Sequence, residues 1–287
     1  MAVVTASCGR FGRTAAPHGG GERIIVIAQG YTEIIWALGA QGGVVGVDYS
    51  STYPPEVRQL QTVGYHRALS AEGILSLKPT LVIHDNNIGP PQVVSQLRAL
   101  GVPMKTFLAR NTTAEGTKAL IREIGAFFHR ERRAEELCRA FDTELEAALE
   151  SAKRYKEHPR VAVIHYGRAS NVYLLVGAGG QGDGGAAGKM IEWAGGRPAI
   201  DQPGMQRMAS PELVAAANPD VVLMTEYGFD RLGGSIDQVM ALPGVATSNA
   251  ARSRRIYRVE EHQLMYFGPS TGRSVEQLAR LIHQTGP

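Results

Sequence analysis

A tyrosine that follows a glycine and precedes an arginine by two residues, in Gly64-Tyr65-His66-Arg67, is the segment of this chain best suited to chemistry. A phenol, with an ordinary pKa of about 10, is a weak ligand until it loses its proton. A neighbouring guanidinium and a ferric ion both favour the phenolate, which is a hard oxygen donor. The same residues also suit a plainer arrangement, with the ring packed on its own lobe and Arg67 at the surface. Other catalytic constellations are missing from the sequence. There is no GxSxG, no HExxH and no Cys–His zinc spacing, and the eight histidines are scattered. Gly177-Ala178-Gly179-Gly180-Gln181-Gly182 superficially matches a dinucleotide fingerprint, but no acid lies suitably downstream and a flexible loop is the better reading. Nothing nominates an acid, a base or a nucleophile.

The tyrosine segment runs into one half of an internal repeat. Ser70-Ala71-Glu72 is followed by Ile74, Leu75 and Leu77, then Pro79, then Leu81-Val82-Ile83. At a separation of 140 positions, Ser210-Pro211-Glu212 is followed by Leu213, Val214 and Ala217, then Pro219, then Val221-Val222-Leu223. Each predicts a short helix with a serine cap and an acid in its first turn, stopped by proline and feeding a buried parallel strand. One recurrence at that distance predicts two similar α/β lobes with a ligand cleft between them. The segments before the two helices, 63–70 and 203–209, are expected to line that cleft.

Four stretches follow. Residues 1–22 are rich in Gly, Ala, Ser and Thr and read as a tether. Within it, Val4-Thr5-Ala6-Ser7-Cys8 resembles the end of a bacterial lipoprotein signal, which would place a lipid anchor on Cys8; an incidental cysteine in a disordered tail is the alternative. Residues 23–110 alternate short apolar strands with helical patterns and form the first lobe. Residues 111–158 carry helical spacing, with a long helix from about Glu131 to Tyr155 bridging the lobes. Residues 159–287 form the second lobe. Cys138 sits in the helical pattern as a small core residue.

Composition sets outer bounds. The chain of 287 residues is 44% hydrophobic and 20% charged, with a net charge of +3 and a pI near 8.9. Those values suit a globular protein, and its densest basic cluster, Arg252 to Arg255, is too short to argue for nucleic acid. No stretch reaches the ~18–20 apolar residues of a membrane span.

The string Tyr31-Thr32-Glu33-Ile34, Val44 to Asp48, Val63 to Gly73, Leu77-Lys78-Pro79 and Gly89-Pro90-Pro91 resembles the haem-binding proteins of bacterial haem ABC importers. The likeness continues through Ala194-Gly195-Gly196, Ser210-Pro211-Glu212, Asn218-Pro219-Asp220, Leu242-Pro243-Gly244 and Phe267-Gly268-Pro269. The two-lobe plan with a helical linker is shared with cobalamin- and siderophore-binding relatives. The resemblance implies an exported, monomeric protein, not an enzyme, in the periplasm or on the outer face of the cytoplasmic membrane. It would hold one or two ferric haems and pass them to a permease dimer.

The resemblance also implies residue roles. Tyr65 matches the iron-ligating tyrosine, and Arg67 the arginine that supports its phenolate. Glu72 and Glu212 match acids at the lobe tips that dock on the permease. In the second lobe Tyr166 falls where relatives place a further ligand, with His165 one residue off and Tyr173 on the adjoining strand as others. Arg168 would meet a propionate, and Tyr31, Ile88, Gly89 and Phe267 would wall the macrocycle. A ferric siderophore or a corrinoid is the alternative ligand. An α/β enzyme using the same cleft and a structural surface lipoprotein are alternatives of other classes.

Overall fold

Ile24–Ile27 is an unbroken β-branched run, and in the computed structural model it becomes β1, buried on both faces at the centre of a parallel sheet. The structure describes residues 21–168, 171–175, 186–200 and 207–284. Around β1 the first lobe places α1 (Gln29–Ala37), β2 (Val44–Val47), β3 (Gln61–Thr62) and α2 (Ala71–Ser76). It continues with β4 (Leu81–His84), α3 (Pro91–Ala99) and β5 (Met104–Lys105). The strand order is β3-β2-β1-β4-β5, with every pairing parallel. Thr32 lies inside the first helix. Helix α1 starts directly off β1, and the Thr32 hydroxyl bonds the carbonyls of Gln29 at 3.0 Å and Tyr53 at 2.8 Å.

Two helices follow, α4 (Ala114–Phe127) and α5 (Glu131–Ala152). They are less separate from the lobes than their sequence suggests. Leu120, Ile121 and Ile124 of α4 lie in the first lobe's core, together with Ala134, Leu137 and Cys138 of α5. Further along α5, Phe141, Leu145 and Ala148 belong to the second lobe's core. One helix therefore carries a stripe that is buried in two different cores, which fixes the lobes to a common rod.

The second lobe comprises β6 (Arg160–Arg168), β7 (Asn171–Leu174), α6 (Ala186–Trp193), β8 (Arg197–Pro198), β9 (Arg207–Ala209) and α7 (Pro211–Ala217). After these come β10 (Val221–Thr225), α8 (Glu226–Arg231), α9 (Ile236–Met240), α10 (Asn249–Arg252), β11 (Ile256–Val259) and α11 (Thr271–His283). The sheet runs β11-β10-β6-β7-β9, with β8 beside β6. Strands β6, β10 and β11 are parallel, whereas β7 is antiparallel to both β6 and β9. Strands β6 and β7 form an antiparallel hairpin because two residues separate them, and a parallel return needs a long crossover.

The repeat is visible as two caps. Ser70 Oγ accepts the Gly73 N–H at 2.9 Å, and Ser210 Oγ accepts the Leu213 N–H at 3.3 Å. Each capped helix precedes a strand that pairs directly with its lobe's opening strand. Helix α11 then closes the second lobe against α5. A Cβ at Gly272 would lie 2.5 Å from the Glu144 carbonyl carbon, so only glycine permits that approach.

Candidate functional site

The carboxyl ends of the two sheets face each other, which is where open α/β sheets bind ligands. Contacts between the lobes establish this directly. Tyr53, past β2, stacks on His262, past β11, at 3.7 Å between ring centroids. Arg58 reaches Glu226 at the end of β10 at 3.2 Å, and Gln29 at the end of β1 reaches Glu261 at 3.2 Å. Burial drives the Glu261 carboxyl up to about 7, with nearby Glu226 adding repulsion, and it pushes His262 down to about 4. This polar seam forms the floor of the cleft.

On the first-lobe wall, Gly64 takes a φ of +105° and turns the chain after β3. The next residues form a turn closed by Ala68 N–H to Tyr65 O at 2.8 Å. Two backbone bonds staple it to the loop after β4: Gly89 N–H to His66 O at 2.8 Å and Leu69 N–H to Gly89 O at 2.9 Å. Tyr65 is thereby held out from the lobe, 46% exposed. Arg67 is also exposed, but its Nε donates to Asn87 Oδ1 at 3.1 Å and makes no hydrogen bond to the Tyr65 hydroxyl. Ile88 is half-buried on the lobe's lower core, and Gly89 is buried beneath Arg67.

His66, one of the eight scattered histidines, is held from several sides within the turn. Its ring lies 4.3 Å from that of Tyr65. Its Nδ1 sits 3.3 Å from Ser50 Oγ and 3.6 Å from Asp48 Oδ2. Asp48 directly follows β2, is 1% exposed, and accepts bonds from the Ser50 N–H at 3.0 Å and Ser51 Oγ at 2.6 Å. A buried carboxylate behind one ring nitrogen is the arrangement that orients a ligating histidine by its other nitrogen. The Val47-Asp48-Tyr49-Ser50-Ser51 string was the signal available for it.

On the opposite wall, Tyr166 and Tyr173 are cross-strand partners with ring centroids 6.1 Å apart. His165 is turned into the lobe. Its Nδ1 meets Thr225 Oγ1 at 3.1 Å and lies 3.6 Å from Glu261, and burial lowers its pKa. Tyr227 stacks on the same imidazole at 5.2 Å and is 43% exposed, a cleft-side aromatic that sequence alone did not single out. Arg168 ends β6; its side chain, residues 203–206 and Cys8 lie outside the described residues.

Two expected wall residues are corrected. Phe267 is 1% exposed and packs on Trp193 in the second lobe's core, where its carbonyl accepts from Asn111 Nδ2 at 3.0 Å. Tyr31 is buried in the first lobe's core, edge-on to Phe107 at 5.5 Å. Neither offers a ligand a face, because each ring is more stable buried among apolar neighbours than at the cleft.

Among the described residues, no group of three or more His, Cys, Asp or Glu side chains could cage a bare metal ion. Among them, too, no helix is long and apolar enough to cross a membrane. The cleft walls instead carry exposed tyrosines and one histidine held beside Asp48 and Ser50.

Known proteins agree with that geometry. The chain superposes on the apo form of the periplasmic haem-binding protein RhuT from Roseiflexus sp. RS-1 with a TM-score of 0.80, at 36% identity over 92% of this chain and 98% of that one. BhuT in complex with two haems matches at 0.78, with 32% identity and the same coverages. The haem-binding protein HmuT matches at 0.77 with 29% identity, over 91% of this chain and 84% of that one; it has also been solved with a histidine, a tyrosine or an arginine replaced. By sequence, the ABC transporter substrate-binding lipoprotein YvrC of Bacillus subtilis is 27% identical over 91% of this chain and 80% of its own length. A vitamin B12-binding protein of Vibrio cholerae is 41% identical over 80 residues, 28% of this chain and 29% of that protein. These are binding proteins rather than enzymes. With two α/β lobes, an open cleft, and a family profile that spans residues 24–262, the chain belongs to the periplasmic binding protein family.

Proposed function

We propose that this protein is the solute-binding component of an ABC importer that captures ferric haem in its cleft and delivers it to the permease. The observation that carries this reading is the Tyr65–His66 pair, with an exposed phenol and a carboxylate-braced imidazole 4.3 Å apart on the cleft wall. A porphyrin already supplies four ligands, so the protein needs to add only axial ones. Tyr65 supplies a phenolate to iron, and Arg67, on release from Asn87, stabilises that charge. His66 is a second donor on the same wall.

From the opposite wall Tyr166 is the further ligand, ahead of Tyr173 and His165. The replaced residues of HmuT favour this choice. Its substituted tyrosine and arginine stand two positions apart, with the histidine some hundred positions earlier. His66, Tyr166 and Arg168 repeat that spacing. Arg168 meets a propionate, and Ile88 and Gly89 form part of the wall. Glu72 and Glu212 dock on the permease. BhuT holds two haems, so the stoichiometry here is one or two. The name of YvrC as a lipoprotein favours Cys8 as a lipid anchor and a site of action outside the cytoplasmic membrane.

Hemin titration followed by absorbance tests the reading. Wild type develops a tyrosinate-to-iron charge-transfer band, and Tyr65→Phe loses it together with most of the affinity. A protein that ignores micromolar hemin overturns the proposal. The V. cholerae relative supports corrinoid binding as a second reading, and saturable uptake of cyanocobalamin in place of hemin would establish it.

A further inference from the structure

Helix α8 carries one cation without a carboxylate partner. Its two acids are engaged: Glu226 with Arg58 and Arg258, both at 3.2 Å, and Asp230 with Arg258 Nε at 3.5 Å. Arg231 at the end of the helix is exposed, and among the described residues it pairs with no acid. Its guanidinium carbon instead lies 4.5 Å from the centre of the Tyr227 ring. Tyr227 stacks in turn on His165, 5.2 Å away with the planes 12° apart. Thr225 Oγ1 anchors that imidazole at 3.1 Å.

Three flat groups thus form a ladder, from His165 on β6 through Tyr227 to the exposed guanidinium at the end of α8. A guanidinium resting on an aromatic face keeps its N–H edge free and its plane set, ready for bidentate pairing with a carboxylate. Arg58 and Arg258 are paired with Glu226 and Asp230, so they offer no comparable edge.

Building on the haem reading above, we propose that Arg231 binds an ionised propionate of the ligand and makes the cleft select carboxylate-bearing tetrapyrroles over neutral, amide-substituted corrinoids. Tyr227 and His165 position it. A purely structural role, such as complementing the end of α8, would not distinguish between ligands by their side-chain charge.

The test compares full-length wild type, Arg231→Gln and Arg231→Lys, each titrated with hemin, hemin dimethyl ester and cyanocobalamin. Melting temperatures check that the exposed substitutions leave the fold intact. Wild type should bind hemin about tenfold tighter than the ester, and Arg231→Gln should lose about that factor for hemin alone. Arg231→Lys should recover part of it, since the charge remains but the fork is gone. Equal hemin affinity in wild type and Arg231→Gln overturns the proposal and leaves the haem reading standing. So does an equal loss for hemin and ester, or wild type that binds cyanocobalamin as tightly as hemin. Wild type that ignores hemin overturns both.

Discussion

The Glu33 carboxylate of the first lobe accepts the backbone N–H of Ser270 in the second lobe at 2.6 Å, at the N-terminus of the closing helix α11. Glu33 is 4% exposed, and burial raises its carboxyl to about 7 despite the bonds from Ser270 and the charge of Arg273. An anion at a helix N-terminus is favourable, which offsets part of that burial cost. Gly268 leaves room for it, since a Cβ there would lie 2.1 Å from Glu33 Oε2. The lobes are joined by this buried contact as well as by the shared helix α5.

Acid should therefore favour the fold through Glu33. Its folded pKa lies above the unfolded value, so its contribution is fully present below about 4.5 and lost as pH rises through about 7. Glu261 has the same sign. His84 and His262, lowered to about 4, act oppositely, losing stability as pH falls from about 6.5 to 4. The two pairs largely cancel in wild type between those limits. Glu33→Gln should unmask the histidines, with a stability relative to wild type that worsens by on the order of 3 kcal/mol between pH 8 and pH 4.5. Urea unfolding at several pH values measures this, and a constant difference would refute it.

His66 and Asp48 make a second prediction. His66→Ala should weaken hemin binding about tenfold and change the ferric spectrum. Asp48→Asn should do so by a similar factor, because the imidazole loses the group that orients it. Full wild-type affinity in both variants would leave Tyr65 as the sole donor on this wall.

Arg58→Ala breaks one rung of the seam while Glu226 keeps Arg258. Because Arg58 is half-exposed, the stability cost should be small, about 0.5–1 kcal/mol. The larger effect should be on lobe spacing. Amide exchange around Tyr53 and His262 should accelerate, and unchanged protection there would count against the seam as a restraint.

Glu72 and Glu212 project into solvent from the first turns of α2 and α7, and the backbone N–H of Glu212, with help from the Ser210 hydroxyl, holds its carboxyl below the usual carboxylate range. The double variant Glu72→Ala with Glu212→Ala should bind hemin normally. Haem-stimulated ATP hydrolysis by the reconstituted permease should fall at least tenfold. By contrast, Ser70→Ala and Ser210→Ala should each cost about 1 kcal/mol of stability through loss of the cap. Normal stimulation of the permease by the glutamate variant would remove these residues from docking.

Local pattern settled a good deal on its own. β-branched runs bounded by turn residues produced β1, β4 and β10, and serine followed by an acid and an apolar helix produced α2 and α7. Those features rest on interactions within a few residues, so they can be read from a window of sequence. The exposure of Tyr65 was not legible there, because a loop tyrosine can equally pack its ring on its own lobe, and only the folded turn holds it out. Contacts across hundreds of positions were not legible either. Tyr31 and Phe267 carry the same apolar rings whether they face a cleft or a core, and only packing decided for the core. Arg67 was read as a partner of Tyr65 from its spacing, yet Asn87, brought in by the loop after β4, captures it. Asp48 reaches His66 through the pairing of β2 with β3, and Glu33 reaches Gly268 and Ser270 through the meeting of two lobes. The sequence carried the resemblance at each of those strings separately, and the fold supplies the reason: residues far apart in the chain are buried against one another.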